Sequence, residues 1–435
     1  MLHELPIAND IDACFAPKVS AGLPVRSFEA MGEAAGAALD WIRARRADSG
    51  LPLLALPNRR DDFTAWKPIV DRYRSLYDDV VVLGIGGSSL GGATLCSLVD
   101  GGGVTGPRVH FLDNIDPIGF DARLARLDMG RTGFLAISKS GGTAETLAQT
   151  LIVIDRLIER IGSENLGTHI TCIAEATDNP LRRIATEHGL FCLEHDPMIG
   201  GRYSALSVTG LLPAAIAGVD VEGVRRGAAA VLDSVLSAEK ALDDPAIAGA
   251  VLNVALARDH GVSQTVLLPY VDRLDRLSFW FRQLWAESLG KEGHGTTPVN
   301  ALGAVDQHSQ MQLYLAGPRD KLFTVICSDP RGRGGRVRAE VAGTAAPDLD
   351  YLVGRTMGDL MAAEQRATID TLVKNGCPTR VIRFNTLNEE VMGGLMMQFI
   401  IETIAAAQLL GIDAFDQPAV EESKVLARQF LREAT

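Results

Sequence analysis

A serine- and glycine-rich turn, S-K-S-G-G-T at residues 138–143, follows an apolar segment and precedes a helical one. Ser138, Ser140 and Thr143 offer hydroxyl groups, and Lys139 offers a cation. Hydroxyl donors and the free amides of a helix start favour a small anion such as a phosphate monoester. Thr143 could instead cap the helix, but a cap would leave the other polar side chains without a purpose. We therefore expect an anion-binding turn.

A second glycine-rich turn, at residues 82–92, also lies between a strand and a helix. Glycines let a backbone approach a ligand closely, and the amides behind them favour an anion. The turn also partly fits the dinucleotide motif G-x-G-x-x-G, because Gly84 and Gly86 match while Ser89 stands at the third glycine. Asp113 could then bind a ribose. A turn that only packs a strand on a helix is the third interpretation.

The two turns together resemble a known family of sugar isomerases. S-K-S-G-x-T after a strand resembles the phosphate-binding turn of the sugar isomerase domain, and G-I-G-G-S at residues 84–88 accompanies it. The pair resembles the first half of the phosphoglucose isomerase family. The chain has no G-x-x-x-x-G-K-[ST] motif, so a nucleoside triphosphate loop is not expected.

An aldose–ketose isomerase needs one base that moves a proton between adjacent carbons and a cation for the oxygen that gains charge. Arg202 in G-G-R-Y-S, Glu287 in E-S-L-G-K and His308 in Q-H have suitable chemistry. Each alone has a structural explanation: a surface ion pair, a solvated helix charge and a helix-terminal residue, respectively. Neither a metal nor a nicotinamide is required, and no two histidines or cysteines have metal-ligand spacing.

In combination the motifs resemble the phosphoglucose isomerase family over nearly the whole chain, in the family order. The last match is F-D-Q-P-A-V-E-E-S-K at residues 415–424. The resemblance implies that the chain interconverts D-glucose 6-phosphate and D-fructose 6-phosphate through an enediol, in glycolysis and gluconeogenesis, without a cofactor. A nicotinamide-dependent oxidoreductase and a non-catalytic sugar-phosphate sensor stay open as alternatives, as does activity on mannose 6-phosphate.

The resemblance also implies a role for each matching residue. Glu287 is the base, Arg202 stabilises the enediolate, and His308 and Lys424 assist ring opening. Glu145 orients the histidine, which in this family reaches the site from a neighbouring subunit. A homodimer with two shared sites is therefore implied. The residues implied to contact the substrate are Gly87, Ser88, Ser138, Lys139, Ser140, Thr143 and Gln417.

Alternating strand and helix patterns must position these groups. Strands are predicted at 79–83, 108–112, 133–137, 168–174, 190–193, 264–268, 321–327 and 379–384. Intervening helices predict an α/β fold with two doubly wound parallel-sheet domains of the sugar isomerase type, each an αβα sandwich, and helical terminal extensions. The predicted units are an N-terminal helical extension at 1–50, α/β domains at 51–220 and 261–412, a helical bridge at 221–260, and a C-terminal helix at 413–435.

The overall composition narrows the partners and the compartment. Fifty-four acidic and 42 basic residues give a formal charge of −12, which argues against nucleic acid and anionic membrane surfaces as partners. Six scattered cysteines fit reduced thiols in a cytoplasm. The most apolar stretches, 204–219 and 392–412, contain polar residues, so we expect buried helices rather than membrane spans. No secretory signal is readable at the N-terminus.

Overall fold

A computed structural model describes residues 5–99 and 106–433, which form two five-stranded sheets flanked by helices. The strands of the described ranges are β1 (Ala8–Asp10), β2 (Asp79–Leu83), β3 (Arg108–Leu112), β4 (Thr132–Ile137), β5 (Ile170–Ala174), β6 (Phe191–Glu194), β7 (Gln264–Pro269), β8 (Thr297–Asn300), β9 (Lys321–Cys327) and β10 (Thr379–Arg383).

The helices of the same ranges connect and cover these strands. They are α1 (Val25–Ala47), α2 (Asp62–Leu76), α3 (Leu90–Cys96), α4 (Pro117–Leu124), α5 (Ala144–Ile161), α6 (Leu166–His169), α7 (Pro180–Glu187), α8 (Val208–Ala217), α9 (Val221–Ser237), α10 (Pro245–His260), α11 (Asp275–Leu289), α12 (Val305–Ser309), α13 (Met311–Ala316), α14 (Ala339–Ala342), α15 (Met357–Lys374), α16 (Glu389–Leu410) and α17 (Glu421–Glu433).

The first sheet is parallel throughout, in the order β3-β2-β4-β5-β6. Strands β2 and β4 are buried along their whole length, as helices on both faces require. The strand order reverses at β2, and ligands of such sheets bind outside the carboxyl ends of the strands at that point. Because β2 and β4 are neighbours, the two glycine-rich turns that follow them lie side by side. The predicted fold class is confirmed.

The second sheet repeats this order with β8-β7-β9-β10 and ends in an antiparallel strand, β1. The first fifty residues were expected to be helical, and for Ala8–Asp10 this expectation is wrong. Pro6, Asn9 and Asp10 form helices poorly, and β10 offers an unpaired edge that a short strand can cover. The Asn9 side chain fixes this strand by accepting hydrogen bonds from Arg380 and Gln398.

The helices α9 and α10 pack against α16 in the main hydrophobic core. The predicted bridge at 221–260 is two helices, separated where Asp244 caps α10 by accepting from the amides of Ala246 and Ile247. By length and composition α16 could cross a membrane, but it is buried among other helices, as predicted for 392–412. Its Glu402 is ion-paired with Arg380 at 2.7 Å, which compensates the burial of both charges. The boundaries of the units stay a prediction.

Helices α9 and α16 approach each other closely because glycines stand at their crossing. A Cβ atom on Gly393 of α16 would lie 1.8 Å from the carbonyl oxygen of Val224, and one on Gly227 of α9 would lie 1.8 Å from that of Glu390. Neither distance is compatible with a side chain, so the crossing depends on both glycines.

The substitution Gly393→Ala should therefore separate the two helices and lower the free energy of unfolding by about 1–3 kcal/mol, the usual effect of overpacking. In the control Gly36→Ala, the new Cβ on α1 meets no atom within 4 Å. That change should be neutral or add up to about 1 kcal/mol through helix propensity. Thermal unfolding followed by circular dichroism measures both, and equal melting temperatures for the two variants would contradict the tight crossing.

Candidate active site

The turn after β2 is packed directly against the G-G-R turn. Gly86 has a φ of +59°, a backbone conformation that glycine adopts without strain. A Cβ atom on Gly87 would lie 2.1 Å from the carbonyl carbon of Gly201, so the two backbones touch. The hydroxyl of Ser204 donates to the carbonyl of Gly87 at 3.3 Å and joins the turns further. Gly87 and Ser88 are partly exposed at this junction.

The turn after β4 gathers its hydroxyl groups as the anion-binding hypothesis requires. The Ser138 and Thr143 hydroxyls are 2.8 Å apart, and Ser140 accepts a hydrogen bond from the amide of Gly142 at 3.3 Å. Thr143 stands at the N-cap of α5 but makes no side-chain cap bond, so the alternative interpretation as a cap is wrong. Its hydroxyl is instead directed to Ser138.

The Lys139 ammonium is held beside this turn by other groups. It donates to the carbonyl of Pro197 at 2.8 Å and lies 3.7 Å from the Glu175 carboxylate. The side chain thus anchors the turn to the segment that follows β6. Gly141, with a φ of +62°, closes the turn where a Cβ would lie 1.8 Å from the Asn179 side-chain oxygen.

Arg202 is the most enclosed charge of the site. Its side chain is only 2% exposed, so the surface ion pair considered from sequence is wrong. Its Nε donates to Ser288 Oγ at 2.8 Å, and one Nη1 bond reaches Gln417 Oε1 at 2.6 Å. The same Nη1 lies 3.3 Å from Glu287 Oε2. Arg202 thereby joins the end of α11 to the segment that precedes α17.

That segment, residues 414–417, crosses the site and is fixed by two cations. The Nη2 of Arg202 donates to the carbonyl oxygens of Ala414 at 2.6 Å and Asp416 at 2.9 Å. Lys291, the lysine of E-S-L-G-K, forms an ion pair with Asp416 at 2.6 Å and donates to the carbonyl of Asp413. The motif at 287–291 and the motif at 415–424 are therefore in contact, although more than a hundred residues separate them.

Glu287 lies on the last turn of α11, and its side chain is 32% exposed. Its Oε1 accepts a hydrogen bond from Gln283 Nε2 at 2.9 Å. Gln283 also faces the turn after β2, since a Cβ atom on Gly86 would lie 2.9 Å from its Nε2. Sequence reasoning missed Gln283. The signal was its position four residues before Glu287, which places both side chains on one face of the helix.

Three predicted site residues are not brought to this group within one chain. His308 is exposed on the short helix α12, and Glu145 is partly exposed on α5. No hydrogen bond or ion pair joins these two side chains in the described part of the chain. Lys424 is exposed on α17 and pairs with Glu421 at 2.6 Å. Every described residue of α17 is exposed, so this helix buries no face against the described part of its own chain.

The arrangement can serve as an acid–base site for an anionic substrate. A partly exposed carboxylate lies beside a buried guanidinium, and two anion-favouring turns end the neighbouring strands β2 and β4. Across residues 5–99 and 106–433, no three His, Cys, Asp or Glu side chains converge as a metal ion would need.

Comparison with known proteins places this arrangement in a family. The family model described as phosphoglucose isomerase matches residues 65–435. The glucose-6-phosphate isomerase of Rubrobacter xylanophilus is 38% identical over 386 residues, covering 85% of this chain and 87% of the relative. The glucose-6-phosphate isomerase of Thermus thermophilus is 36% identical over 370 residues, covering 83% of this chain and 86% of the relative.

Two solved structures share the fold. A hypothetical protein from Thermus thermophilus matches with a TM-score of 0.85 and 31% identity, covering 98% of this chain and 99% of that one. A glucose-6-phosphate isomerase from Chlamydia trachomatis matches with a TM-score of 0.74 and 22% identity, covering 90% and 74%.

The contacts of Arg202 predict that its removal releases the segment at 414–417. In Arg202→Met, the acceptors of that segment and Ser288 lose their buried donor, which costs about 1–3 kcal/mol. We expect amide hydrogen exchange in peptides covering 411–418 to rise at least ~10-fold, the factor that 1.4 kcal/mol produces. The control Lys139→Met removes a cation that makes no contact with this segment. Unchanged protection in Arg202→Met would refute the role of Arg202 as its anchor.

Proposed function

The chain belongs to the phosphoglucose isomerase family and interconverts D-glucose 6-phosphate and D-fructose 6-phosphate, and we propose that Glu287 carries the proton that this reaction moves. The observation that supports the proposal is the position of its carboxylate. It is held by Gln283 on one side and Arg202 on the other, yet a third of the side chain is open to solvent. A catalytic base must be held in a fixed position and must also be accessible to the substrate, and the Glu287 carboxylate meets both requirements.

The proton chemistry needs one base. From glucose 6-phosphate in its open form, the Glu287 carboxylate takes the proton on C2, and the electrons of that bond form an enediolate with C1. Return of the proton to C1, with transfer of the hydroxyl proton from O2 to O1, gives fructose 6-phosphate. Because C1 and C2 are adjacent, a single carboxylate on one face reaches both without moving far.

We assign the substrate phosphate to the turn after β4. Ser138, Ser140 and Thr143 supply hydroxyl donors, and α5, which begins at Ala144, directs its amides to the same place. The Lys139 side chain holds the turn to Pro197, so it contributes to the anion its backbone and a charge that Glu175 partly offsets. A phosphate fixed here leaves the other end of the sugar free to meet the carboxylate.

The sugar end is assigned to the turn after β2 and to Arg202. Gly87 and Ser88 lie next to the G-G-R turn, and Gln283 faces both the turn and the base. All five N–H groups of Arg202 already have acceptors. A direct bond to the enediolate therefore needs one acceptor to give way, and the exposed Gln417 is best placed to do so.

Ring opening is assigned to His308 and Lys424, which requires a second copy of the chain. His308 is exposed, and we propose that it enters the site of a neighbouring subunit, where Glu145 orients it. We propose that α17 brings Lys424 to the site when it docks. Its exposed apolar residues support docking on another surface; they are Val425, Leu426, Phe430 and Leu431. The proposed assembly is a homodimer with two shared sites.

The proposed compartment is the cytoplasm. All six cysteines are free thiols, and most are buried. The formal charge of −12 supports the absence of nucleic acid and anionic membrane partners. Activity on mannose 6-phosphate stays a prediction. Family membership leaves no place for the oxidoreductase alternative, and Ser89, at the third position of the dinucleotide motif, is a buried side chain that faces Asp113.

The role of Glu287 predicts that Glu287→Gln retains substrate binding but turns over at least ~100-fold more slowly, the scale for loss of a general base. A coupled assay of fructose 6-phosphate conversion, with glucose-6-phosphate dehydrogenase as the second enzyme, measures kcat and KM. The matched control is Ser140→Ala, which should raise KM and spare kcat because it removes one phosphate donor. A Glu287→Gln enzyme with near-normal kcat would exclude this carboxylate as the base.

The shared site predicts complementation between inactive chains. When Glu287→Gln and His308→Asn are co-expressed with different tags, the doubly tagged hybrid should regain about half of the normal activity, because one of its two sites is intact. Each parent alone should be nearly inactive. The control hybrid of Glu287→Gln with Arg202→Lys should stay inactive, since both residues belong to one chain's site. A first hybrid no more active than its parents would show that His308 does not act across subunits.

A further inference from the structure

A groove of about 1040 Å³ lies at the carboxyl edge of the second sheet, and none of the residues of the site described above lines it. The ends of β9 and β10 form its base, and α15 and the loop after β9 form its walls. Apolar side chains, among them Ile369 and Phe384, line part of it. Its volume is that of a site for a small organic ligand.

The groove occupies the position in the second sheet that the phosphate turn occupies in the first. The order β8-β7-β9-β10 repeats β3-β2-β4-β5, so β9 corresponds to β4. Ser138 directly follows β4 and begins the phosphate turn, and Ser328 directly follows β9 and lines the groove. Doubly wound sheets bind their ligands outside the carboxyl ends of such strands.

Among the charged residues that line the groove, the carboxylates are already engaged. Asp329 forms an ion pair with Arg331 at 2.6 Å, and Asp370 forms one with Arg366 at 3.5 Å. Asp359 caps α15 and accepts hydrogen bonds from the amides of Thr356 at 2.8 Å and Gly332 at 3.0 Å. The acidic groups are therefore committed to arginines or to backbone.

Two guanidinium groups are left over at the same groove. Within the described residues, the guanidinium groups of Arg355 and Arg383 have no hydrogen bond or ion pair. The Arg355 charge acts on the carboxylate of Asp359, which backbone amides already hold. Both arginines are exposed and line the groove. In a chain with a formal charge of −12, two unpaired arginines at one concave surface form a local site for an anion.

A buried amide adds an independent sign of a missing ligand. Gln365 lies on α15, lines the groove and is only 5% exposed. Its Nε2 has no hydrogen-bond acceptor in the protein. An unpaired buried donor destabilises a fold, and a ligand oxygen in the groove would supply the acceptor that this amide lacks.

We propose that this groove binds an organic phosphate through the guanidinium groups of Arg355 and Arg383 and the amide of Gln365. Arginine suits this ligand because its planar donors match phosphate oxygens. Tyr351 lines the same groove and is 66% exposed, so a nucleotide base could stack on its ring. Sugar phosphates and nucleotides share the phosphate group. They differ in the base, which only a nucleotide could stack on the ring of Tyr351.

Isothermal titration calorimetry of the full chain with AMP and with ribose 5-phosphate tests the proposal. We expect at least one of the two to bind at one site per chain, with an affinity that falls about tenfold or more in the double variant Arg355→Ala/Arg383→Ala, as loss of charged hydrogen bonds requires. The matched control is Arg336→Ala, which removes an arginine of the same loop that does not line the groove and is bound to the carbonyl of Gly354.

The two probes separate the sources of the phosphate. Binding of both shows that the phosphate group dominates. Binding of AMP alone, weakened by Tyr351→Ala, identifies a nucleotide site. Isomerase turnover at saturating fructose 6-phosphate should be unchanged in the double variant, so this test is independent of the assigned reaction. No heat with either probe, or equal affinity in the double variant, overturns the proposal.

Gln365→Leu distinguishes a ligand donor from a merely structural residue. Removing an unpaired buried donor should leave the melting temperature of the free protein unchanged or higher. The same change should lower the affinity for the bound probe about tenfold, since a charge-assisted bond to the phosphate is lost. A variant with lowered melting temperature and unaltered affinity would remove Gln365 from the site.

Discussion

The buried guanidinium of Arg202 is the interaction on which the site depends. Burying a cation is unfavourable unless its donors are satisfied, and here every N–H group has an acceptor. Those acceptors belong to the end of α11 and to the segment at 414–417, so the cation holds these pieces in one geometry. The Glu287 carboxylate, which we propose as the base, is thus placed by a network rather than by its own helix alone.

A second constraint fixes where that network stands relative to the sheet. The backbones at Gly87 and Gly201 are in contact, and no side chain fits between them. Arg225 holds the other end of the 3₁₀ turn Gly201–Leu206, because its guanidinium is buried, paired with Asp62 and donates to the carbonyl of Leu206. The turn that carries Arg202 is therefore clamped between the first sheet and α9.

Much of the fold and several of the site motifs could be predicted from the sequence. The features that could not be predicted depend on contacts between segments that are distant in the chain. Strands such as β2 and β9 are short, mostly apolar runs, and S-K-S-G-G-T places several hydroxyl groups directly after one of these strands. The strand β1 was missed because three residues have no pattern, and its stability comes from pairing with β10. The burial of Arg202 and the contact of Gln283 with Glu287 arise only when distant segments meet. The proposed positions of His308 and Lys424 in the site depend on a second copy of the chain, which a single-chain pattern does not describe.

The two anion sites that we propose stand on sheets of the same strand order but carry different groups. After β4, neutral hydroxyl groups and the amides of α5 surround the turn, and the neighbouring cation Lys139 is compensated by Glu175. After β9, the loop and the end of β10 instead carry arginines, and the guanidinium groups of Arg355 and Arg383 at the groove have no hydrogen bond or ion pair among the described residues. Hydroxyl and amide donors bind a phosphate without a strong long-range field, which suits a substrate that must leave after each turnover. Unpaired guanidinium groups hold an anion more strongly, which suits a ligand that stays bound while the substrate is exchanged.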